Sequence, residues 1–231
     1  MPATGARARV RAELTREIAE VARRHLASDG AAALSLRAVA RELGMASSAV
    51  YRYFPSRDEL LTALIVEAYD ALGETAERAA AAAAAGDLRD RWLAVCRAVR
   101  GWALAHPHEY ALVYGSPVPG YAAPQATIVP ASRVGEVLCR LVAEGIADGA
   151  VDPHLDATGA DATLEPDVAP SMGLPVDSGG SLAARAIFAW TSLYGMISFE
   201  LFGHTHNVVA DHAAFFDDAA GRLAGVLGLP A

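Results

Sequence analysis

One short stretch of the sequence, residues 35–57, constrains the fold more than any other. It reads SLRAVARELGMASSAVYRYFPSR, a short amphipathic segment followed by a glycine and a second short segment that ends in aromatic residues. Gly44 permits a left-handed turn between the two segments, and Pro55 ends the second one. Two short helices joined by a tight turn are typical of a helix-turn-helix element, whose second helix enters the major groove of DNA. The stretch therefore predicts a DNA-binding head.

The positive charge of the chain is concentrated around this element. Residues 1–60 contain ten arginines and seven acidic residues, a net charge of +3. Residues 61–231 contain nine arginines and twenty acidic residues, a net charge of −11. The chain as a whole carries −8. An acidic body behind a basic head disfavours docking on DNA in the wrong orientation. The charge pattern thus supports DNA binding by the N-terminal part alone.

Hydrophobic periodicity predicts an all-α protein. The N-terminal three-helix head of residues 1–56 is expected to be the DNA-binding domain, and residues 57–231 a helical domain for effector binding and dimerisation. Ser56 is expected to cap the long fourth helix. Residues 151–180 are rich in proline, glycine and aspartate and predict a flexible surface loop.

Composition also indicates where the protein works. Cys96 and Cys139 lie within helical patterns, which predicts two buried, reduced thiols. The sequence has neither a run of about 20 uncharged apolar residues nor an apolar region after its charged N-terminus. We therefore expect a cytoplasmic protein with no membrane partner.

The chemistry of the second short helix favours contacts with base edges and phosphates. Small polar residues, Ser47, Ser48 and Ala49, begin this helix and allow close approach to the bases. The hydroxyl groups of Tyr51 and Tyr53 can reach phosphates, whereas Val50 and Phe54 are expected to be core residues. Arg37, in the first turn of the second helix, is suited to a guanine edge or the backbone, and Arg57, in the first turn of the fourth helix, can pair with a phosphate.

The same residues resemble the TetR family of transcriptional regulators. The resemblance is carried by Leu34–Ala40, Leu43-Gly44, Val50–Phe54 and Ser56-Arg57, in unbroken order. It implies a set of DNA contacts at Ser35, Arg37, Ser47, Ser48, Ala49, Tyr51, Tyr53 and Arg57. Two positions depart from the family pattern. Ala46 stands where a capping Ser or Thr is common, so that the cap is expected to move to Ser47, and Tyr53 stands where His is common.

The second half of the chain resembles the WHG-type ligand-binding domain of some TetR-like regulators. The similar segments are Trp102–Pro107, Tyr114-Gly115, Pro119–Tyr121 and Phe202–His204. The resemblance implies a small-molecule effector and a homodimer formed through the last two helices. The residues agree with a dimer, because the helix predicted at 181–203 is apolar on two adjoining faces and needs cover on more than one side.

A ligand pocket requires rigid apolar walls with a few hydrogen-bonding edges. Six aromatic residues could supply such walls, or could simply pack in the core or the dimer interface: Trp92, Trp102, Tyr110, Tyr114, Trp190 and Tyr194. Because the body of the protein is acidic, we expect an apolar effector that is neutral or cationic.

Catalytic and metal-binding patterns are missing from the sequence. It contains no G-x-S-x-G elbow, phosphate-binding loop, dinucleotide fingerprint or HExxH motif, and we expect no enzyme activity and no cofactor. His204, His206 and His212 lack a cysteine or carboxylate cluster and are interpreted as solvated or capping residues. The chain is therefore interpreted as a repressor released from a palindromic operator by a small-molecule effector. The alternatives are a helical small-molecule-binding protein or enzyme with a vestigial DNA-binding head, and a constitutive DNA-binding protein or activator.

Overall fold

The structure is a computed structural model that describes residues 3–156, 158–175 and 180–230. These residues form ten α-helices and three short 3-10 turns, with no strand among them, which confirms the all-α prediction. The helices are α1 (Ala3–Asp29), α2 (Leu36–Glu42), α3 (Ser47–Val50), α4 (Arg57–Ala82), α5 (Leu88–Ala105), α6 (Pro107–Tyr114), α7 (Ile128–Ala147), α8 (Val168–Ser171), α9 (Leu182–Leu201) and α10 (His212–Val226).

The chain divides into two compact units. The first contains Met1–Asp70 and His106–Pro130, and the second contains Ala71–Ala105 and Ala131–Ala231. The first unit is larger than the DNA-binding domain predicted at residues 1–56, because α6 packs against α1. The division by packing therefore differs from the division by expected role, which stays a prediction.

A single hydrophobic core holds the DNA-binding head together. Ile18, Val39, Val50 and Leu60, one from each of the first four helices, are fully buried in it. Val50 and Phe54 are both core residues, as the sequence predicted. Because α3 contributes a fully buried valine, the position of this short helix is set by the core and not by its own four residues.

The turns of the head follow the predicted pattern with one correction. Gly44 has a φ of +63° between α2 and α3, a conformation that glycine adopts without steric cost. The Ser56 hydroxyl accepts a hydrogen bond from the Glu59 amide at 3.1 Å, as predicted for the cap of α4. The predicted cap at Ser47 is wrong, because α3 begins one residue earlier than a serine cap requires. Ala46 is the N-cap residue, and no side chain caps this end.

The second unit is built around α5, α9 and α10. The indole N–H of the buried Trp92 donates to the Ala220 carbonyl at 2.9 Å, which joins α5 to α10. Arg100 and Glu200 form a bidentate pair at 2.7 and 2.5 Å between α5 and α9. The Asp211 carboxylate accepts hydrogen bonds from the Ala213 and Ala214 amides at 3.0 Å and caps α10.

The α9 helix is long and apolar enough, by length and composition, to cross a membrane. Eight of its residues are nevertheless buried within the second unit, as in the core helix of a water-soluble protein. One of them is Arg185, whose guanidinium donates to two backbone carbonyls of the same unit. The burial pattern of α9 is therefore that of a packing helix.

The described part of the segment 151–180 contains short helical turns and is tied to α9, and the flexibility that its composition predicted stays a prediction. The segment contains a 3-10 turn at Ala160–Thr163 and the short helix α8, and residues 157 and 176–179 lie outside the described residues. The Asp161 carboxylate accepts a hydrogen bond from the Ala184 amide at 2.9 Å, at the start of α9. The buried Arg185 side chain donates to the carbonyls of Pro153 and Val226 at 3.1 and 3.2 Å. These contacts between distant residues have no signature in local composition.

The two cysteines are free and buried, as predicted. Burial raises the pKa of the Cys139 thiol to about 11 and raises the pKa of Cys96 even further. Since the thiolate is the reactive form, both residues should resist a disulfide reagent at pH 8 while the protein is folded. We expect both thiols to react only at the rate of unfolding and rapidly in denaturant. Two fast-reacting thiols in the native protein would contradict this packing.

Candidate nucleic-acid interface

The surface of the head that is suited to DNA is the start of α3. Ser47 and Ser48 are exposed, Ala49 is half-buried, and the Tyr51 side chain just beyond the helix is 41% exposed. The next residue inward, Val50, is fully buried. The helix thus presents small polar groups and one phenol outward from a rigid base, as close approach to base edges requires.

Two further predicted contacts flank this surface from α2. Arg37 lies in the first turn of α2, and its side chain is exposed. Ser35 is the N-cap residue of α2 and is half-buried, and its hydroxyl makes no capping hydrogen bond. An exposed arginine near the recognition helix is the group best suited to bidentate contact with a phosphate or a guanine.

Tyr53 is held in place by an arginine of α1. The Arg11 guanidinium lies 5.2 Å from the centroid of the Tyr53 ring and also donates to the Arg52 carbonyl at 3.2 Å. Tyr53 itself is half-buried against the core of the head. Arg11 therefore fixes the end of the recognition segment on α1, a role that sequence spacing did not reveal.

Arg57 is engaged within the protein. Its Nε donates to the Leu34 carbonyl at 3.2 Å, and one terminal nitrogen donates to the carbonyls of Ala31 and Ala32 at 3.0 and 3.3 Å. These carbonyls lie just before α2, so that Arg57 ties the start of α4 to the segment that leads into the helix-turn-helix. This placement differs from the predicted phosphate contact. Sequence reasoning missed it, because backbone acceptors 23–26 residues away leave no residue pattern.

Replacing Arg57 should therefore destabilise the head. Arg57→Met keeps much of the aliphatic stem but leaves three carbonyl oxygens without a charged donor. We expect the free energy of unfolding to fall by about 1–3 kcal/mol, the usual cost of orphaning such acceptors. Urea unfolding measures this loss, with Arg37→Met, at an exposed position of α2, as the matched control that changes stability by less than about 0.5 kcal/mol. Equal effects of the two substitutions would contradict the role of Arg57 as a structural clamp.

The six aromatic residues predicted to form a pocket are divided between the two units. Tyr110 and Tyr114 belong to the first unit, where their rings lie 5.1 Å apart and Tyr114 meets Tyr69 edge-on at 5.9 Å. Burial raises the pKa of the Tyr69 phenol, and its hydroxyl donates to the Val113 carbonyl at 3.4 Å. This tyrosine cluster joins α6 to α4.

The other four predicted pocket residues lie in the second unit: Trp92, Trp102, Trp190 and Tyr194. Trp92 is a core residue, and its N–H is already bonded to a carbonyl, so that this edge is unavailable to a ligand. Trp102 is also buried. Trp190 is 44% exposed and meets Tyr194 edge-on with 5.9 Å between ring centroids.

Large aromatic side chains are exposed along α9 and around its junction with α10. They are 43–57% exposed: Phe188, Trp190, Phe199, Phe202 and Phe215. A cavity of about 380 Å³ opens between the two helices, with Phe199 and Phe215 among its lining residues. The two-sided apolar pattern predicted for the helix at 181–203 is thus present as a buried face and an exposed face.

Two of the three C-terminal histidines have ordinary partners. His212 makes a hydrogen bond of 3.0 Å to the Thr205 hydroxyl, and the His204 ring packs against Phe199 at 5.1 Å. Within the described part of the chain, no group of three or more metal-binding side chains comes together.

Two short helices joined by a tight glycine turn, packed on one core with α1 and α4, define a helix-turn-helix protein. Comparison with known protein families also indicates a helix-turn-helix DNA-binding protein. Residues 18–64 match the family model for bacterial regulatory proteins of the tetR family, and residues 92–223 match the model of a tetracyclin repressor-like C-terminal domain. The chain belongs to the TetR family of transcriptional regulators, and it is a DNA-binding regulator.

Individual relatives span nearly the whole chain. The HTH-type transcriptional regulators Rv1816 of Mycobacterium tuberculosis and Mb1846 of Mycobacterium bovis are each 41% identical to this chain over 237 positions, which cover 96% of both sequences. Among solved structures, the regulatory protein SCO4313 has a TM-score of 0.77 and 35% identity, covering 94% of this chain and 98% of its own. A protein of unknown function from Rhodococcus sp. RHA1 has a TM-score of 0.69 and 25% identity, covering 94% and 95%.

Proposed function

We propose that the protein is a homodimeric repressor that binds a palindromic operator through α3 and is released by an apolar small-molecule effector. Repression, dimerisation and effector release are typical of the family to which the chain belongs. The observation that carries the proposal is the exposed start of α3, with Ser47, Ser48 and Tyr51 facing outward from a buried Val50.

The proposed DNA contacts fall into two groups, contacts to base edges and contacts to phosphates. Ser47, Ser48 and Ala49 read base edges, since their side chains are short enough for close approach. Positioning contacts to the phosphates come from the residues around them, Ser35, Arg37, Tyr51 and Tyr53. Arg57 acts mainly by holding the segment before α2, and its contribution to DNA binding is then indirect.

The exposed aromatic face supports a dimer through α9 and α10. Four large aromatic side chains left in water at α9 and α10, Phe188, Phe199, Phe202 and Phe215, are unusual for a monomer, and apolar patches of this kind mark interaction surfaces. A two-fold dimer buries the same patch on both chains and places two heads on a two-fold operator. The proposed interface is therefore the face that carries Phe188, Phe199 and Phe215.

Release follows if the effector binds more tightly to a dimer whose heads are wrongly spaced. Helix α4 is the proposed lever, since it begins in the first unit and ends in the second. We further propose that the protein has no enzyme activity and works in the cytoplasm, because its family and curated relatives are transcriptional regulators. Trp190 and Tyr194, which meet edge-on in the second unit, are the proposed wall residues of the effector site.

Selection from a pool of random duplexes tests this function and finds the operator sequence at the same time. We expect enrichment of an inverted repeat, with the two half-sites separated by a whole number of helical turns of about 10 base pairs. Binding to the enriched duplex should weaken linearly on a log–log plot as salt rises, because phosphate contacts release counterions. A pool in which no sequence is enriched after repeated rounds of selection would contradict the proposal.

A further inference from the structure

The first unit contains a cavity that neither the DNA-binding surface nor the proposed dimer face explains. Its volume is about 460 Å³, within the range of about 300–1,000 Å³ in which proteins bind small molecules. One wall is the end of α1 and the 3-10 turn that follows, including Leu26, Ala31 and Ala32. The opposite wall is α6 with the loop after it, including Leu112 and Ser116.

The lining of this cavity indicates the chemistry of an occupant. Most of its side chains are alanine, leucine, proline and valine, and the residues that line it include neither an acidic residue nor an arginine. The polar side chains in the lining are His108, in the first turn of α6, and Ser116, in the loop. Since a charged ligand would lie there without an opposite charge, an uncharged molecule is favoured. The imidazole and the hydroxyl can hydrogen-bond to one polar group at its end.

We propose that this cavity, the α1–α6 cavity, binds a compact uncharged molecule that has an apolar body and one hydrogen-bonding group. It uses the face of α6 that carries His108, Ala111 and Leu112, whereas Tyr110 and Tyr114 belong to the tyrosine cluster with Tyr69. The site thus differs from the aromatic pocket that the sequence predicted. The lining offers neither a guanidinium to a polyanion nor a carboxylate to a metal ion.

The position of the cavity connects it to the DNA-binding head. Ala31 and Ala32, which line it, are the residues whose carbonyls accept hydrogen bonds from Arg57. Leu112 and Val118, on the opposite wall, pack against the core of the head. An occupant therefore contacts the segment that leads into the helix-turn-helix and restricts its movement relative to α6. This consequence for DNA binding rests on the proposed function, whereas the site itself does not.

A neutral fluorescent naphthalene ketone, prodan, is a suitable probe, since it joins an apolar bicyclic body to one carbonyl acceptor. Titration of the full-length protein should show saturable binding with a blue shift of the emission. Ala111→Phe fills the cavity from α6 and should weaken binding by about tenfold or more, because the ring takes space that the probe needs. Ala123→Phe, at an exposed loop position that does not line the cavity, should leave affinity unchanged. Equal probe affinity in the parent and in folded Ala111→Phe would overturn the proposal.

Hydrogen exchange on the parent protein locates the probe without any substitution. Saturating prodan should slow exchange in residues 30–34 and 108–118, on the two walls of the cavity. Protection confined to other parts of the chain would overturn the site. Protection of these walls that grows with protein concentration in the absence of probe would mean that a second copy covers the cavity, and it would also overturn the proposal.

The effect on DNA is measured separately, on the duplex enriched by selection. Prodan should change operator affinity about threefold or more in the parent protein and leave Ala111→Phe unaffected, as expected for coupling through the Arg57 anchor. If prodan binds at the mapped walls and operator affinity is unchanged, the coupling between this site and DNA binding is overturned. The proposal of the ligand site is not affected by that result. Failure to find any operator would count against the proposed function alone.

Discussion

Ser48→Glu should lower operator affinity by more than about a hundredfold. The substitution places a carboxylate on the exposed start of α3, where the proposed interface brings the side chain close to bases and phosphates. Like charges brought together in an interface cost several kcal/mol, and each 1.4 kcal/mol is about a factor of ten in affinity. Because position 48 is exposed, the folded state can hold the new charge in water, and the free energy of unfolding should change little.

Fluorescence anisotropy with the enriched duplex measures this effect. Ala123→Glu is the matched control, since it adds the same charge to the same unit at an exposed loop position outside the helix-turn-helix. A general effect of net charge would weaken both variants equally at low salt and would fade as salt rises. If Ser48→Glu retains parental affinity, the assignment of α3 as the recognition helix is wrong.

Phe199→Glu should convert the proposed dimer to a monomer. Phe199 is 57% exposed in the single chain and lies on the aromatic face of α9 beside Phe215. In a two-fold interface the substitution occurs twice, and a buried aromatic residue at the centre of an interface commonly contributes about 2 kcal/mol or more. The dissociation constant of the dimer should therefore rise by about a thousandfold or more. Operator affinity should fall with it, because a monomer holds one half-site at a time.

Sedimentation velocity across a range of concentrations measures this change. Val129→Glu is the control, since Val129 is also exposed, at 73%, but belongs to the first unit, at the start of α7. A monomeric parent protein, or a Phe199→Glu variant that remains fully dimeric at low concentration, would contradict the assignment of the interface to α9 and α10.

Local signals in the sequence predicted the DNA-binding head well. Gly44, Ser56 and Pro55 each act on their immediate neighbours, and a left-handed turn or a helix cap is determined within a few residues. Val50 and Phe54 were predictable as core residues because helical periodicity reveals a buried face. The exception, Ala46 at the cap of α3, shows that a short helix held by a buried valine keeps its position without a capping side chain.

Contacts between distant residues could not be predicted in this way. The guanidinium of Arg57 was expected to reach DNA, but it meets backbone carbonyls before α2. Arg185 and Asp161 anchor a segment whose composition alone indicated a loop. The aromatic residues Trp92 and Tyr110 were grouped by type, yet folding places them in different units. In each case the residue's position depends on contacts with residues far away in the chain, and no local sequence pattern reveals these contacts.

In the proposed dimer, α3 of each subunit reads one half-site, and the rest of the dimer fixes the spacing between the two α3 helices. The most direct test inserts about five base pairs, half a helical turn, between the half-sites of the enriched duplex. The insertion turns the two half-sites onto opposite faces of the DNA while leaving each sequence intact. We predict that affinity falls by about tenfold or more and returns in part when about ten base pairs are inserted. Unchanged affinity on insertion of about five base pairs would mean that the two heads bind independently, and it would contradict a spacing fixed by the dimer.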